Sequence, residues 1–366
     1  MSTRAGTMKH RMQEHVPLAP LTTLGVGGEA RFFVEAETIQ DVVEALDYAR
    51  AHALPLFVLG GGSNIVVADG GFDGLVLLMR IPGIICEKKD TRVTVTVGAG
   101  VEWDELVAYT VTRGFIGLEC LSGIPGTVGG AVVANLGAYG AQCSDVFVSA
   151  DVLVRDDETH TVQVFKNEDC KFAYHDSMFG HMPGKYLVVR TTFSLLAAGT
   201  SHLSYRDNRF DLNALATKLG HEPTPADVRA AVLKMREEKG VLQSSYRSAG
   251  SFFHMPFVSL ETYAYITTKT RALDSGKEER LRPWAWEQPD GTYKIAPGFL
   301  LEYTEFQKGY VRGGVGISPK HTLSIINVGG ARAQEIGALA RDMQSAVKDL
   351  CNIHLEREVE YVGDMY

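Results

Sequence analysis

The chain has 366 residues, with 36 Lys and Arg against 44 Asp and Glu for a formal charge of −8, and 45% of it is hydrophobic. That is enough apolar material for two or three ordinary domains, which excludes disordered and fibrous classes. The acidic balance, with no Lys/Arg run or basic stripe, argues against nucleic acid or an anionic membrane as partner, because neutralising phosphates needs clustered cations.

In chain order, residues 1–16 carry cations but no apolar signal segment, so an untargeted N-terminal tail of a cytoplasmic protein is expected; no apolar run approaches the roughly 18 residues a bilayer span needs. Ala30–Val34 reads as a strand. Thr38–Ala51 reads as a helix, with Thr38 as N-cap and Asp41 in the first turn. Leu56–Leu59 and Gly74–Met79 are short apolar strands, and Arg92–Val97 alternates Val93, Val95 and Val97 inward against Arg92, Thr94 and Thr96. A helix over Glu102–Thr112 follows. Strands at Val146–Val154, Thr161–Phe165 and Tyr186–Leu195 complete an α+β unit over 17–198.

Residues 199–225 are polar and turn-rich, which suggests a linker or loop. A second, smaller unit over 226–350 opens on a helix with Thr224 as N-cap and Pro225 at its first position. It ends on an amphipathic helix, Ala333–Leu350, after which 351–366 holds a strand, Ile353–Tyr361, of period two. The five cysteines form no C-x-x-C pair and the 11 histidines show no ligand spacing, so neither a disulfide framework nor a metal site is expected.

Glycine is concentrated in blocks. Gly60, Gly61 and Gly62 follow a buried strand, where backbone N–H groups could approach a phosphate with Ser63 and Asn64 as side-chain partners; a glycine-rich turn would read the same, and G-x-G-x-x-G is absent. The stretch from Gly117 through Gly140 has seven glycines, a surface of backbone donors suited to a large polar ligand. On the helix over 226–239, Val228, Val232 and Met235 form an apolar face that Arg236 and Lys239 continue, pointing two cations inward or, equally, snorkelling them at the helix end. In Ile353–Tyr361, alternation groups Glu356, Glu358 and Glu360 with His354 on one face, usually a solvated one.

The motifs Leu59–Asn64, Gly117–Gly140, Ser248–Phe253 and Leu355–Val359 resemble, in order and spacing, the UDP-N-acetylenolpyruvoylglucosamine reductase family of peptidoglycan synthesis, over residues 17–363. The resemblance implies a vanillyl-alcohol-oxidase-like (PCMH-type) α+β FAD-binding domain and a smaller α+β domain that binds a UDP-sugar. It assigns FAD to Gly60, Gly61, Gly62, Ser63, Asn64, Ile124, Pro125, Gly126, Thr127, Gly129, Gly130, Asn135, Gly137 and Tyr139. With no histidine in the first block, the FAD is expected to be non-covalent. NADPH would reduce the flavin, and the enolpyruvyl double bond would then receive hydride in the same cleft, with ping-pong kinetics.

Ser251 falls at the family's proton donor, Glu358 at its second catalytic residue on a final strand returning to the active site, and Arg236 and Lys239 at its cationic pair. Tyr205, in Ser204–Asn208, matches the tyrosine loop that closes over the UDP-sugar. Three places depart from the family: His175 in Phe172–Ser177, where an Arg is usual; His254-Met255, where Lys-Asn is usual; and Arg357, where proline is commoner. His175 can replace the Arg only as a single-point donor to the substrate carboxylate. Two alternatives stay open on the sequence: a flavoprotein of the same superfamily acting on another substrate, and a non-catalytic nucleotide-sugar-binding paralogue.

Overall fold

The computed structural model describes residues 11–199, 212–242, 246–274 and 281–365. The chain forms two compact units: Met1–Val16, Glu29–Gly62 and Phe72–Arg236 make the first, and Pro17–Gly28, Ser63–Gly71 and Glu237–Tyr366 the second.

The first unit has two sheets. One has the order Gln13–Pro17, Glu29–Ala36, Phe72–Met79, Leu56–Leu59, and its strands Glu29–Ala36 and Leu56–Leu59 both run parallel to Phe72–Met79. Parallel strands need a crossover, and the helix Ile39–Ala51 carries the chain from Glu29–Ala36 to Leu56–Leu59, on the far side of Phe72–Met79. Thr38 caps that helix reciprocally with Asp41: Thr38 Oγ1 accepts from Asp41 N at 3.1 Å and Asp41 Oδ2 accepts from Thr38 N at 2.9 Å. The other sheet is antiparallel, in the order Gln163–Lys166, Phe147–Val154, Tyr186–Leu196, Arg92–Gly98, Ile84–Lys89. Val93, Val95 and Val97 are fully buried in it, as their alternation requires. The edge strand Ile84–Lys89 has no counterpart in the sequence reading, because four of its six residues are exposed, three of them charged, and the apolar alternation is lost.

The segment 199–225, read as a linker or loop, contains a helix over Leu212–Leu219. Leu215 of that helix packs on the first unit's core, which a polar composition around it concealed. The helix that follows runs Pro225–Glu238 and buries Val228, Val232 and Arg236.

The second unit contains an antiparallel sheet, Arg247–Ser248, Ile325–Asn327, Val315–Ile317, Val311–Arg312, and a smaller one of Phe257–Val258, Tyr293–Ile295 and Ala285–Glu287. Helix Ala333–Cys351 buries Ile336, Leu339, Met343 and Val347 against this core. A helix over Leu260–Leu273 escaped the sequence reading: only Ile266 and Thr270 of it are buried, too few to print a 3.6-residue period.

The final segment corrects an expectation. Instead of a strand over Ile353–Tyr361, the ladder covers Glu360–Val362, paired in parallel with Ile65–Val67. The preceding residues pair elsewhere, through an isolated bridge between Phe253 and Arg357. The extended chain changes partners on the way, so no continuous ladder forms. Arg357 is exposed and lies over the Tyr361 ring at 3.5 Å.

Candidate active site

In the first unit the second glycine block is docked along residues 99–104. Gly129 N donates to Ala99 O and Val128 N to Val101 O, both at 2.9 Å, and Trp103 N donates to Gly126 O at 2.9 Å. The Trp103 indole N–H reaches Leu121 O at 3.0 Å, and its ring is fully buried, so core packing sets the position of the loop. Thr127 caps the helix Val128–Val133, its Oγ1 accepting from Gly130 N at 3.4 Å.

The first glycine block meets the second directly. A Cβ on Gly60 would stand 2.7 Å from Thr127 Oγ1, and one on Gly61 would stand 2.6 Å from Gly126 Cα. Glycine is therefore required where backbone meets backbone, and Gly126, with φ of 122°, occupies a conformation other residues rarely adopt. Among the described residues the backbone N–H groups of Gly61, Ile124, Gly126 and Thr127 have no acceptor in the protein. A row of neutral donors left for an outside acceptor is the donor set a nucleotide diphosphate takes, so these residues fit FAD.

Charged side chains fix the start of this loop. Asp104 Oδ1 accepts from Gly123 N at 2.6 Å and Arg236 Nε donates to Gly123 O at 3.1 Å. Arg236 is 9% exposed. Burial pushes its guanidinium down, and Tyr139, which it hydrogen-bonds, and Asp104 offset only part of that.

Asn135 is 1% exposed, and its amide serves the protein: Nδ2 donates to Ala173 O at 2.6 Å and Oδ1 accepts from Ser144 N at 3.0 Å. Ala173 opens the turn closed by Asp176, in which His175 sits half-buried with φ of 49°, its ring edge-on to Tyr174 at 4.5 Å. Asn135 thus carries the His175 turn, a link across 38 residues.

In the second unit Phe252–His254 runs antiparallel to Glu356–Glu358, with His254 N donating to Glu356 O at 2.9 Å and Glu358 N to Phe252 O at 3.0 Å. Phe252 and Phe253 are buried and anchor the pair. Ser251 and Glu358 lie at the same end of this short ladder. On the other side, Phe252 N donates to Leu323 O at 2.9 Å, which brings His321 Nε2 to 3.1 Å from Ser251 Oγ.

Glu358 is further held by Asn64, whose Nδ2 donates to Glu358 O at 3.2 Å and whose own carbonyl accepts from Glu360 N at 3.0 Å. Ser63 and Asn64 belong to the second unit, while Gly60–Gly62 belong to the first. Burial pushes the Glu358 carboxyl up to about 7, and Lys294 opposes that rise. Lys294 is itself pushed down to about 8 by burial and pulled back by Glu358. His254 Nδ1 stands 3.9 Å from Glu358 Oε2. A hydroxyl on an imidazole beside a carboxyl that titrates near neutrality can deliver a proton and hold an anion.

Lys239 follows the last residue of its helix and is half-buried. Tyr205 lies outside the described residues. Gly137 opens a two-residue strand paired with Ala141–Gln142, and Gly130 is exposed at the top of its helix. Sequence reasoning missed Asp104, His321 and Lys294. Asp104, at the start of a helix, reads as an ordinary first-turn acid, whereas a lone His and a lone Lys carry no pattern at all. Among the described residues no group of three or more His, Cys, Asp or Glu could hold a metal, and no helix is long and apolar enough to cross a membrane.

Residues 30–163 match the family described as FAD binding domain, and residues 242–362 match the C-terminal domain of UDP-N-acetylenolpyruvoylglucosamine reductase. The chain is 38% identical over 353 residues to the UDP-N-acetylenolpyruvoylglucosamine reductase of Pseudomonas fluorescens, covering 96% of this chain and 99% of that one. It is 38% identical over 355 residues to the enzyme of that name from Thermobifida fusca, covering 95% and 97%. Among solved structures, UDP-N-acetylenolpyruvylglucosamine reductase from Thermus caldophilus is similar with a TM-score of 0.64 at 27% identity, over 96% of this chain and all of that one.

Proposed function

The chain belongs to the UDP-N-acetylenolpyruvoylglucosamine reductase family, and on that premise we propose how its own residues divide the work. The protein is an FAD-dependent oxidoreductase that reduces UDP-N-acetylglucosamine enolpyruvate to UDP-N-acetylmuramate with NADPH, in peptidoglycan precursor synthesis. Its fold is a PCMH-type FAD-binding domain with a second α+β domain.

Bound FAD supplies the hydride carrier between NADPH and the enolpyruvyl carbon–carbon double bond. Gly61, Ile124, Gly126 and Thr127 would hold its diphosphate through backbone N–H groups, with Gly60 and Gly62 completing the cradle. Hydride arrival at the terminal carbon leaves an electron pair on the carbon that bears the carboxylate. Ser251 Oγ–H delivers the proton that completes the reduction, and His321 orients that hydroxyl. Glu358, with its carboxyl near 7, is protonated in part at neutral pH and can donate to the substrate carboxylate as negative charge grows there. His175 gives that carboxylate a second, single-point donor. Lys239, Arg236 and Tyr205 are the candidates for the UDP-sugar, and a cytoplasmic site of action belongs to the same proposal.

What supports this reading most is the pairing of Phe252–His254 with Glu356–Glu358, which has the Ser251–His321 couple and the perturbed Glu358 at one end of a short ladder. Anaerobic stopped flow tests it. Ser251→Ala is expected to keep flavin reduction by NADPH and to lose reoxidation by the enolpyruvyl substrate by roughly 10²–10⁴-fold. Equal loss of both half-reactions, or of neither, would remove Ser251 as the proton donor.

A further inference from the structure

The first unit contains an ion pair that the reaction does not use. Arg229, on helix Pro225–Glu238, donates from Nη1 to Asp104 Oδ1 at 2.6 Å and from Nη2 to Asp104 Oδ2 at 2.7 Å. Asp104 sits in the first turn of helix Trp103–Thr112, 125 residues away in sequence. The pair is bidentate, the strongest arrangement the two groups allow. The Arg229 side chain is 18% exposed and that of Asp104 37%. Burial would raise the Asp104 carboxyl, but hydrogen bonds from Arg229 and from the Gly123 N–H outweigh it and hold it low.

The same carboxylate oxygen also accepts from Gly123 N at 2.6 Å, and the Gly123 carbonyl accepts from Arg236 Nε at 3.1 Å. Both polar groups of one residue are therefore claimed by charged side chains, one from each helix. Gly123 has φ of 71°, a left-handed conformation that glycine adopts freely and residues with a side chain rarely do. In a trans peptide the N–H of the next residue points opposite to the carbonyl. With the Gly123 carbonyl drawn to Arg236, the Ile124 N–H is turned the other way, and among the described residues it has no acceptor. It is the first of the row formed by Ile124, Gly126 and Thr127.

We propose that Asp104 and Arg229 form a clasp that positions the loop Gly123–Thr127 for the diphosphate of the flavin nucleotide. Neither residue touches the ligand. Asp104 orients the Gly123 peptide, Arg229 keeps Asp104 ionised and immobile, and helix Pro225–Glu238 is tied to the cofactor loop. The inference rests on the assignment of Ile124–Thr127 to FAD, and it adds two positioning residues that the glycine motif does not contain.

The test is FAD affinity, measured by flavin fluorescence on titrating FAD into the deflavinated full-length protein and its Asp104→Asn, Arg229→Lys and Arg229→Gln variants and the Asp104→Asn/Arg229→Gln double variant. The expected result is a Kd raised about tenfold or more in Asp104→Asn and in Arg229→Gln, since a fixed donor row is replaced by a mobile one. The double variant should be little worse than either single one, because both break one unit. Arg229→Lys keeps the charge but loses the fork and should fall between wild type and Arg229→Gln. Thermal midpoints of the FAD-free proteins identify any variant that has failed to fold, and Arg229→Lys is the conservative one on which the outcome then rests. FAD affinity within twofold of wild type in Arg229→Lys and in any other folded variant, or additive losses in the double variant, would overturn the clasp. Failure of the wild-type protein to bind FAD would instead overturn the assignment of the loop.

Discussion

Glu358 gives the sharpest quantitative expectation. Its carboxyl is raised from an ordinary 4.5 to about 7, with burial as the main cause and Lys294 opposing it. The folded state therefore binds the Glu358 proton more tightly than the unfolded chain does. Stability is fully present below about pH 4.5 and is lost as pH rises to about 7, because over that interval the unfolded chain releases the proton first. At about 1.4 kcal/mol per unit, the shift from 4.5 to about 7 corresponds to roughly 3 kcal/mol. The side chain keeps 24% of its surface exposed, and solvent there offsets part of the cost, so about 1–3 kcal/mol is expected.

Glu358→Gln removes the titration with little change in shape. It should be more stable than wild type by that amount at pH 8 and lose the advantage at pH 4.5. The loss of Glu358 lets the Lys294 ammonium fall further below about 8, which acts in the same direction at alkaline pH. Urea unfolding of both proteins at several pH values measures the difference. A stability difference that does not vary between pH 4.5 and 8 would refute the reasoning, since it would mean that the carboxyl is solvated like any surface glutamate. A stabilised variant that has lost reoxidation by substrate would also show that the native carboxyl is retained at a cost in stability for its chemistry.

Three further outcomes are expected. Gly61→Ala places a methyl 2.6 Å from Gly126 Cα; with backbone on both sides nothing can yield cheaply, so a stability loss of about 1–3 kcal/mol and reduced FAD retention on gel filtration should follow. Asn135→Ala strands the Ala173 carbonyl and the Ser144 N–H and should cost about 1–3 kcal/mol by denaturant titration, with faster proteolysis near His175. His321→Ala removes the partner 3.1 Å from Ser251 Oγ and should slow substrate reoxidation by about tenfold or more. His321→Gln, which can still hydrogen-bond the hydroxyl, should recover part of that rate in stopped flow, with NADPH reduction unchanged in both.

Much of this protein was legible in the sequence where a single segment carries its own signal. The helix after Thr38 announces itself by a reciprocal cap three residues long, and Val93, Val95 and Val97 declare a buried sheet face because side chains alternate along a strand. The glycine blocks signal close backbone approach, which Gly60 and Gly61 against Thr127 and Gly126 display, and the family resemblance names FAD as their ligand. Four motifs in order identify the family. Period failed where the partners change: the chain from Ile353 alternates like one strand, yet Glu356–Glu358 pairs with Phe252–His254 and Glu360–Val362 with Ile65–Val67.

What only the tertiary structure decided is which isolated residues meet. A lone His at 321 comes to Ser251 across 70 residues, an Asp in an ordinary first turn meets Arg229 across 125, and Lys294 becomes the cation that tempers Glu358. Composition and spacing cannot encode such meetings, because hydrogen bonds and burial penalties depend on distances in space between elements whose packing is set by the whole core. Local backbone requirements in the sequence determined the elements and the glycine turns, and the order of the motifs, through the family resemblance, determined the fold class, the cofactor and the reaction. The proton affinities, and the side chains that hold the glycine loop in place, were decided only once the cores had closed around them.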